Sequence, residues 1–177
     1  MSDEGSGQAR QGVDPVPFGR RLAASEAFKD MFREGMALVE ETATYLDGPG
    51  RRESHRLSRQ ASLTYATESM RLTTRLMQLA SWLLLQRAVN EGDLSVELAR
   101  QERTKVKLGG LSTAVGAPTW DELPAQLRLL IGRSIRLQER VVQLDGALTR
   151  SAGAQAADNP VQRVQNLIAG AFQRRTP

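Results

Sequence analysis

Residues 57–90 form the longest uninterrupted helical pattern in the chain, and this pattern restricts the possible folds more than any other feature. On a helical wheel the apolar residues fall into two neighbouring stripes. The first stripe contains Leu63, Ala66, Met70, Met77, Ala80 and Leu84, and the second contains Tyr65, Leu72, Leu76, Leu79 and Leu83. The third side of the helix is polar in its first half. From Leu79 onward this side becomes apolar as well, because Trp82, Leu85 and Val89 occupy it. A helix that is apolar on every side needs cover on every side.

The polar side of the same helix is formed by Glu68, Arg71, Arg75 and Gln78, which we call the polar stripe. Charged side chains are expected to face solvent, where they can form charge-assisted hydrogen bonds with another protein. The pattern therefore predicts that the polar stripe is exposed and binds a partner.

Two further long helices are predicted on either side of this one. The first runs from Ser25 to Leu46 and ends at the Asp47-Gly48-Pro49-Gly50 turn, and the third covers 124–149. Both carry apolar residues at alternating steps of three and four, which is typical of packed helices. The glycine-framed segment between the second and third helices is a crossover with a possible short helix at 95–105. These features predict an all-α fold, a three-helix antiparallel bundle over residues 23–150 with a long central helix.

Helix lengths predict where the central helix lacks cover. At 1.5 Å per residue the first helix is about 33 Å long and the central helix about 50 Å, so the first helix should stop covering the second near Gln78. The missing cover could come from the N-terminal segment, from the crossover or from a second copy of the chain. We favour a homodimer, with an interface formed by Trp82, Leu83, Leu85 and Val89.

Both ends of the chain are predicted to be flexible arms outside the bundle. Residues 1–22 are expected to be disordered or loosely docked, and their apolar side chains are Val13, Val16, Phe18 and Leu22. Residues 151–177 begin with a small-residue linker and continue as a short amphipathic helix. Its apolar face includes Val164, Leu167, Ile168 and Phe172. Such a short helix is marginal alone, so it either docks on its own bundle or inserts into a groove of a partner.

Composition restricts the function. The chain has no cysteine and one histidine, His55, so disulfides, thiolate metal sites and a histidine-based catalytic pair are excluded, and we expect neither cofactor nor enzymatic activity. No secretory signal or membrane-spanning segment is recognisable, which predicts a cytoplasmic protein. The net charge is +4, but arginine and lysine are spread among acidic residues. A basic helical DNA-binding protein is the alternative reading, with Arg51, Arg52, Arg56 and Arg59 as the only local cluster.

Polar residues interrupt the apolar arc of the third helix. Ser134, Gln138 and Asp145 lie within or beside this arc. Because an unpaired buried carboxylate is costly, Asp145 is expected to reach an arginine or the end of the bundle. We therefore interpret Asp145 as a member of an ion pair rather than as a catalytic residue.

Two stretches resemble the regulator of CtrA degradation (RcdA) family: FREGMALVEETATYLDGPGR, Phe32 to Arg51, and YATESMRLTTRLMQLASWLLLQRAVNEGDLS, Tyr65 to Ser95. LPAQLRLLIGRSIRLQERVVQLD, Leu123 to Asp145, resembles its third helix. The resemblance implies a dimeric bacterial three-helix bundle without enzymatic activity. It also implies an adaptor that helps to deliver substrates, including the cell-cycle regulator CtrA, to the ClpXP unfoldase-protease together with a response-regulator partner.

Overall fold

The computed structural model describes residues 25–109 and 118–158. Every regular element in these two ranges is a helix, which confirms the all-α prediction. The helices are α1 (Glu26–Asp47), α2 (Pro49–Ser54), α3 (Arg59–Glu91), α4 (Val96–Lys105) and α5 (Ala125–Asp158). None of them combines the length and the hydropathy that a membrane-spanning helix needs.

The turn after α1 is longer than predicted, because it contains the six-residue helix α2. Pro49 occupies the first turn of α2, where its missing N–H is not needed by the helix. After α2 the chain turns again, and Ser58 caps α3 by accepting a hydrogen bond from the backbone N–H of Ala61 at 3.1 Å. The residues from Pro49 to Ser58 thus delay the start of α3.

This delay shifts the register between α1 and α3. Arg87 lies over the Phe32 ring at 4.9 Å, so α1 covers α3 as far as Arg87. The prediction that this cover ends near Gln78 is therefore wrong. The prediction failed because it did not include α2, which moves the start of α3 along the bundle relative to the end of α1.

The directions of the long helices follow from the residue pairs between them. Ion pairs join Glu34 to Arg140 and Glu41 to Arg133, so α1 and α5 are antiparallel. Between α3 and α5, Arg75 contacts Ser134 and Trp82 contacts Asp145, so residue numbers increase in the same direction along both helices.

Helices α3 and α5 are therefore parallel, and α1 is antiparallel to both. The predicted antiparallel bundle is correct for α1 with α3 and wrong for α3 with α5. The long crossover between Glu91 and Ala125 makes the parallel arrangement possible, because it returns the chain to the other end of the bundle.

The core lies between α1, α3 and α5. Its fully buried large side chains include Leu38, Leu72, Leu79, Trp82, Leu83, Leu127, Leu130, Ile131, Leu137 and Val141. Gly35 allows the close approach of α1, because a methyl group at this position would lie 2.6 Å from Cδ1 of Leu83 and 3.5 Å from Cδ2 of Leu137. Apart from Trp82, the large apolar core residues on α3 belong to the second apolar stripe, so the first stripe is left for another role.

Helix α5 is longer than predicted. It continues through 151–158, which the sequence had suggested to be a linker. This segment contains four alanines, and alanine has the highest intrinsic helix propensity, so its low burial capacity does not prevent a helix. The predicted N-terminal arm, 1–22, and the part of the predicted C-terminal segment 151–177 that follows residue 158 lie outside the described residues.

Candidate protein-interaction surfaces

The polar stripe faces the interior of the bundle. Glu68 and Arg75 are each only 1% exposed, whereas Arg71 and Gln78 are half-buried. Arg75 donates a hydrogen bond to the Ser134 hydroxyl at 3.0 Å, and Arg71 donates one to Glu68 at 2.6 Å. The prediction that the stripe faces solvent is thus wrong for Glu68 and Arg75.

Polar residues on α5 explain why a charged stripe can be buried. The Ser134 hydroxyl accepts from Arg75 and donates to the carbonyl of Ile131 at 2.7 Å, so it links the arginine to the backbone of α5. Burial lowers the pKa of Arg75, and the negative charge of Glu68 opposes this shift. The sequence contained a sign of this burial: polar residues such as Ser134 interrupt the apolar arc of the third helix, and Ser134 contacts the polar stripe of α3.

The predicted dimer interface is mostly covered by its own chain. Trp82 and Leu83 are 0% exposed, and Leu85 and Val89 are half-buried. The indole N–H of Trp82 donates to Asp145 at 2.9 Å, and Arg103 of α4 lies over the indole ring at 5.9 Å. The crossover covers Trp82, and Leu83 packs between α1 and α5 next to Gly35 and Leu137, so neither residue can form an external interface in this arrangement.

Asp145 lies beside the apolar arc of α5, where a carboxylate needs a polar partner, and the structure provides one. It accepts the Trp82 hydrogen bond, and its carboxylate lies 3.9 Å from the guanidinium of Arg103. The prediction that Asp145 reaches an arginine is confirmed. The pair connects α5 to the crossover.

A row of large apolar side chains lies on the outside of α3. Leu63, Met70, Met77 and Leu84 are 62%, 72%, 62% and 52% exposed, and we call them the α3 ridge. They recur every seven residues over about 32 Å of helix. A seven-residue apolar repeat is typical of a helix that packs against another helix over several turns.

The threonine and serine side chains beside the ridge expose less hydrogen-bonding capacity than hydroxyl groups usually do. Thr67, Thr73, Thr74 and Ser81 each donate their hydroxyl to the backbone carbonyl four residues earlier, at 2.9 Å. Their polar atoms therefore already have partners within the helix. A protein that packs on the ridge does not leave these hydroxyls without hydrogen bonds.

An open groove of about 690 Å³ lies between the start of α1 and the end of α3. Phe28 and Phe32 form its apolar part, and Arg87 forms an ion pair with Glu91 at 2.7 Å beside it. Among the described residues that line the groove, the carboxylates are Glu26 and Glu91, which form ion pairs with Lys29 and Arg87. Its apolar floor and charged rim are features of a protein contact.

Tyr45, Glu53 and His55 are titratable residues at the end of the bundle where α1 meets α2. The Tyr45 hydroxyl donates to Glu53 at 2.8 Å, and burial together with this carboxylate raises the pKa of Tyr45. In residues 25–109 and 118–158 no three His, Asp or Glu side chains converge as metal ligands would. His55 is exposed at the end of α2.

The predicted C-terminal arm residues Val164, Leu167, Ile168 and Phe172 lie outside the described residues. The structure thus buries Glu68 and Arg75 of the polar stripe and Trp82 and Leu83 of the predicted dimer interface, and it exposes the α3 ridge. The seven-residue spacing of the ridge was visible in the sequence. A helical wheel with two apolar stripes does not show which of them is buried, so the sequence alone did not distinguish the ridge from the core.

A protein family and a solved structure are similar to this chain. The model of a family described as a protein of unknown function (DUF1465) matches residues 19–172. The crystal structure of RcdA from Caulobacter crescentus CB15 is similar to this structure, with 50% sequence identity and a TM-score of 0.60. The alignment covers 75% of this chain and 97% of that chain. No curated protein sequence gives a significant match.

Proposed function

The chain belongs to the DUF1465 family, to which its match over residues 19–172 assigns it, and to the family of RcdA, and from this premise we propose that it is a non-enzymatic adaptor. Such an adaptor helps to deliver substrates, including CtrA, to the ClpXP protease together with a response-regulator partner. It acts by tethering, which raises the concentration of a substrate at the protease without any chemistry of its own.

The observation that carries the proposal is the α3 ridge. An adaptor needs a rigid body with an accessible apolar surface for another protein. Helix α3 is held by α1, α4 and α5 on its other sides, so the ridge is displayed by a fixed helix, and residues on rigid elements are better positioned for binding than residues on loops.

The protein that we propose to pack on the α3 ridge is a second copy of the chain, so that substrates and the protease bind other surfaces of the dimer. Two copies of α3 can pack ridge to ridge, with the paired hydroxyls and small residues of each helix beside the methionines of the other. This interface replaces the one predicted around Trp82, which the crossover covers. Leu85 and Val89 remain half-buried at the margin of that covered patch.

The C-terminal arm is proposed as a second anchor. Its apolar face, Val164, Leu167, Ile168 and Phe172, suits a groove on a partner or on the bundle itself. Removing residues 159–177 leaves every described helix complete. If the arm is an anchor, this truncation reduces substrate delivery, and an unchanged rate would refute an anchoring role.

A reconstituted degradation assay tests the proposed function. Purified ClpXP, the response-regulator partner and fluorescently labelled CtrA are mixed with and without this protein. We expect faster substrate loss only when the protein and the response regulator are both present. Equal rates with and without the protein would contradict the adaptor role, and a control with the protein but without ClpXP shows whether it cleaves the substrate itself.

A gel-shift experiment separates this proposal from the DNA-binding alternative. Binding to duplex DNA through phosphate contacts weakens steeply as salt increases. The adaptor proposal expects no shift of duplex DNA at low salt, even though Arg51, Arg52, Arg56 and Arg59 are exposed.

A further inference from the structure

The crossover holds to the bundle through few side chains. Ala99 is the one buried residue among the ten of α4. The main polar contact is made by Arg103, whose side chain is 11% exposed. After α4, Val106 and Leu108 pack at the edge of the core. An element with so little buried apolar surface is expected to detach at a lower free-energy cost than α1, α3 or α5.

Glycines lie at both ends of this segment. Gly92 ends α3 in the left-handed region with φ of 84°, a conformation that glycine adopts without steric cost. Gly109 follows Leu108, and a methyl group at Gly109 would meet no atom within 4 Å. Residues 93–108, which we call the strap, are therefore bordered by positions at which the backbone can turn.

The surface beneath the strap is suited to binding an arginine. Gln86 accepts a hydrogen bond from Arg103 at 2.9 Å, Asp145 lies 3.9 Å from its guanidinium, and the Trp82 ring lies 5.9 Å away. An amide oxygen, a carboxylate and an indole face are three groups that recognise a guanidinium. Helix α4 thus occupies this groove as a bound peptide would.

The closed state also carries a cost. Burial lowers the pKa of Arg103, whereas the charge of Asp145 raises it, so desolvation outweighs the ion pair. Among the described residues, the Nε atom of Arg103 has no hydrogen-bond partner. Detachment of the strap returns this guanidinium to water and exposes an indole that needs a new cover.

We propose that the strap is an internal, detachable ligand, and that the groove of Trp82, Gln86 and Asp145 takes a cationic amphipathic helix of a partner protein in its place. The partner helix has a small residue that replaces Ala99 and an arginine four positions later that replaces Arg103. This site is separate from the α3 ridge, and the proposal does not depend on a protease as partner.

A synthetic peptide with the strap sequence 95–108, SVELARQERTKVKL, is the probe. It is labelled with a fluorophore and titrated with full-length protein, and binding is followed by anisotropy. Because the internal strap competes with the peptide, we expect weak binding to the wild type and about tenfold tighter binding to the Arg103→Ala protein. A peptide that carries Arg103→Ala should not bind.

A matched control distinguishes the groove from general charge effects. Arg100 lies on the same helix and pairs with Glu97 at the surface, so Arg100→Ala in the protein should leave peptide binding at the wild-type level. Peptide that binds all three proteins equally, or that binds none of them, overturns the proposal.

Hydrogen exchange on the wild-type protein gives a second measurement that needs no variant. The proposal expects the amides of α4 to exchange at least about tenfold faster than those of α3 between residues 75 and 89, because the strap opens without global unfolding. Equal protection of the two helices would show that the strap opens only when the whole bundle unfolds, and this result also overturns the proposal.

Discussion

Replacing the two central methionines of the α3 ridge tests whether this surface joins two copies of the chain. The double variant Met70→Glu/Met77→Glu places four carboxylates in a dimer interface, two from each copy. Each methionine is exposed in the single chain, at 72% and 62%, so neither change disturbs the core. The free energy of unfolding of the monomer should therefore change by only about 0.5 kcal/mol or less.

The effect on dimerisation can be estimated from the same exposures. Full burial of a methionine side chain contributes roughly 1.5–3 kcal/mol. A ridge-to-ridge dimer would bury about two thirds of four such side chains, which corresponds to roughly 4–8 kcal/mol. Loss of this contribution raises the dimer Kd by about a thousandfold or more, and the carboxylates increase the effect.

Sedimentation equilibrium over a range of protein concentrations measures this change. We expect the wild type to show a monomer–dimer equilibrium and the double variant to remain monomeric at the same concentrations. Leu129→Glu is the matched control, because Leu129 is 51% exposed but lies on α5 outside the ridge. A double variant that dimerises like the wild type, or a wild type that stays monomeric throughout, would refute the reasoning.

Three further predictions concern stability. Gly35→Ala should destabilise the protein by about 1–3 kcal/mol in urea unfolding, because its methyl group would lie 2.6 Å from a leucine side chain. Gly132→Ala meets only the end of an arginine at 3.5 Å, and it should stabilise the helix by about 0.5–1 kcal/mol; a destabilised Gly132→Ala would contradict this view of the packing. Because burial raises the pKa of Tyr45, the folded state keeps the phenol proton when the unfolded chain has released it. Stability is then fully present below about pH 10 and decreases as the pH rises further, and Tyr45→Phe should reduce this decrease in unfolding experiments between pH 8 and 11. Asp145→Ala should lower the free energy of unfolding by about 1–3 kcal/mol, whereas Asp121→Ala, which removes a 91% exposed carboxylate, should be almost neutral in the same thermal denaturation experiment.

The sequence predicted the long helices well because their patterns and stop signals agree. Helix α1 was expected at 25–46 and found at Glu26–Asp47, and α3 was expected at 57–90 and found at Arg59–Glu91. Helix α4 was also located correctly by the glycines around it. Local signals of this kind depend on residues close together in the chain, which the sequence displays directly.

The orientation of α3 could not be predicted, because it depends on contacts between distant residues. Its two apolar stripes have similar composition. Which stripe is buried depends on the packing of Leu83 against Gly35 and on the hydrogen bond from Arg75 to Ser134. A helical wheel of one segment contains neither contact. The polar stripe was placed outside for the same reason, since a buried arginine is acceptable only when a distant partner is present.

The crossover also determines where the chain enters and leaves the bundle. In a bundle of three helices that alternate in direction, the first residue and the last lie at opposite poles. Here α1 begins and α5 ends at the same pole, so both terminal segments emerge from one side of the molecule. A partner that bound both terminal segments at once would therefore be held at this pole, and the opposite pole would remain available for other contacts.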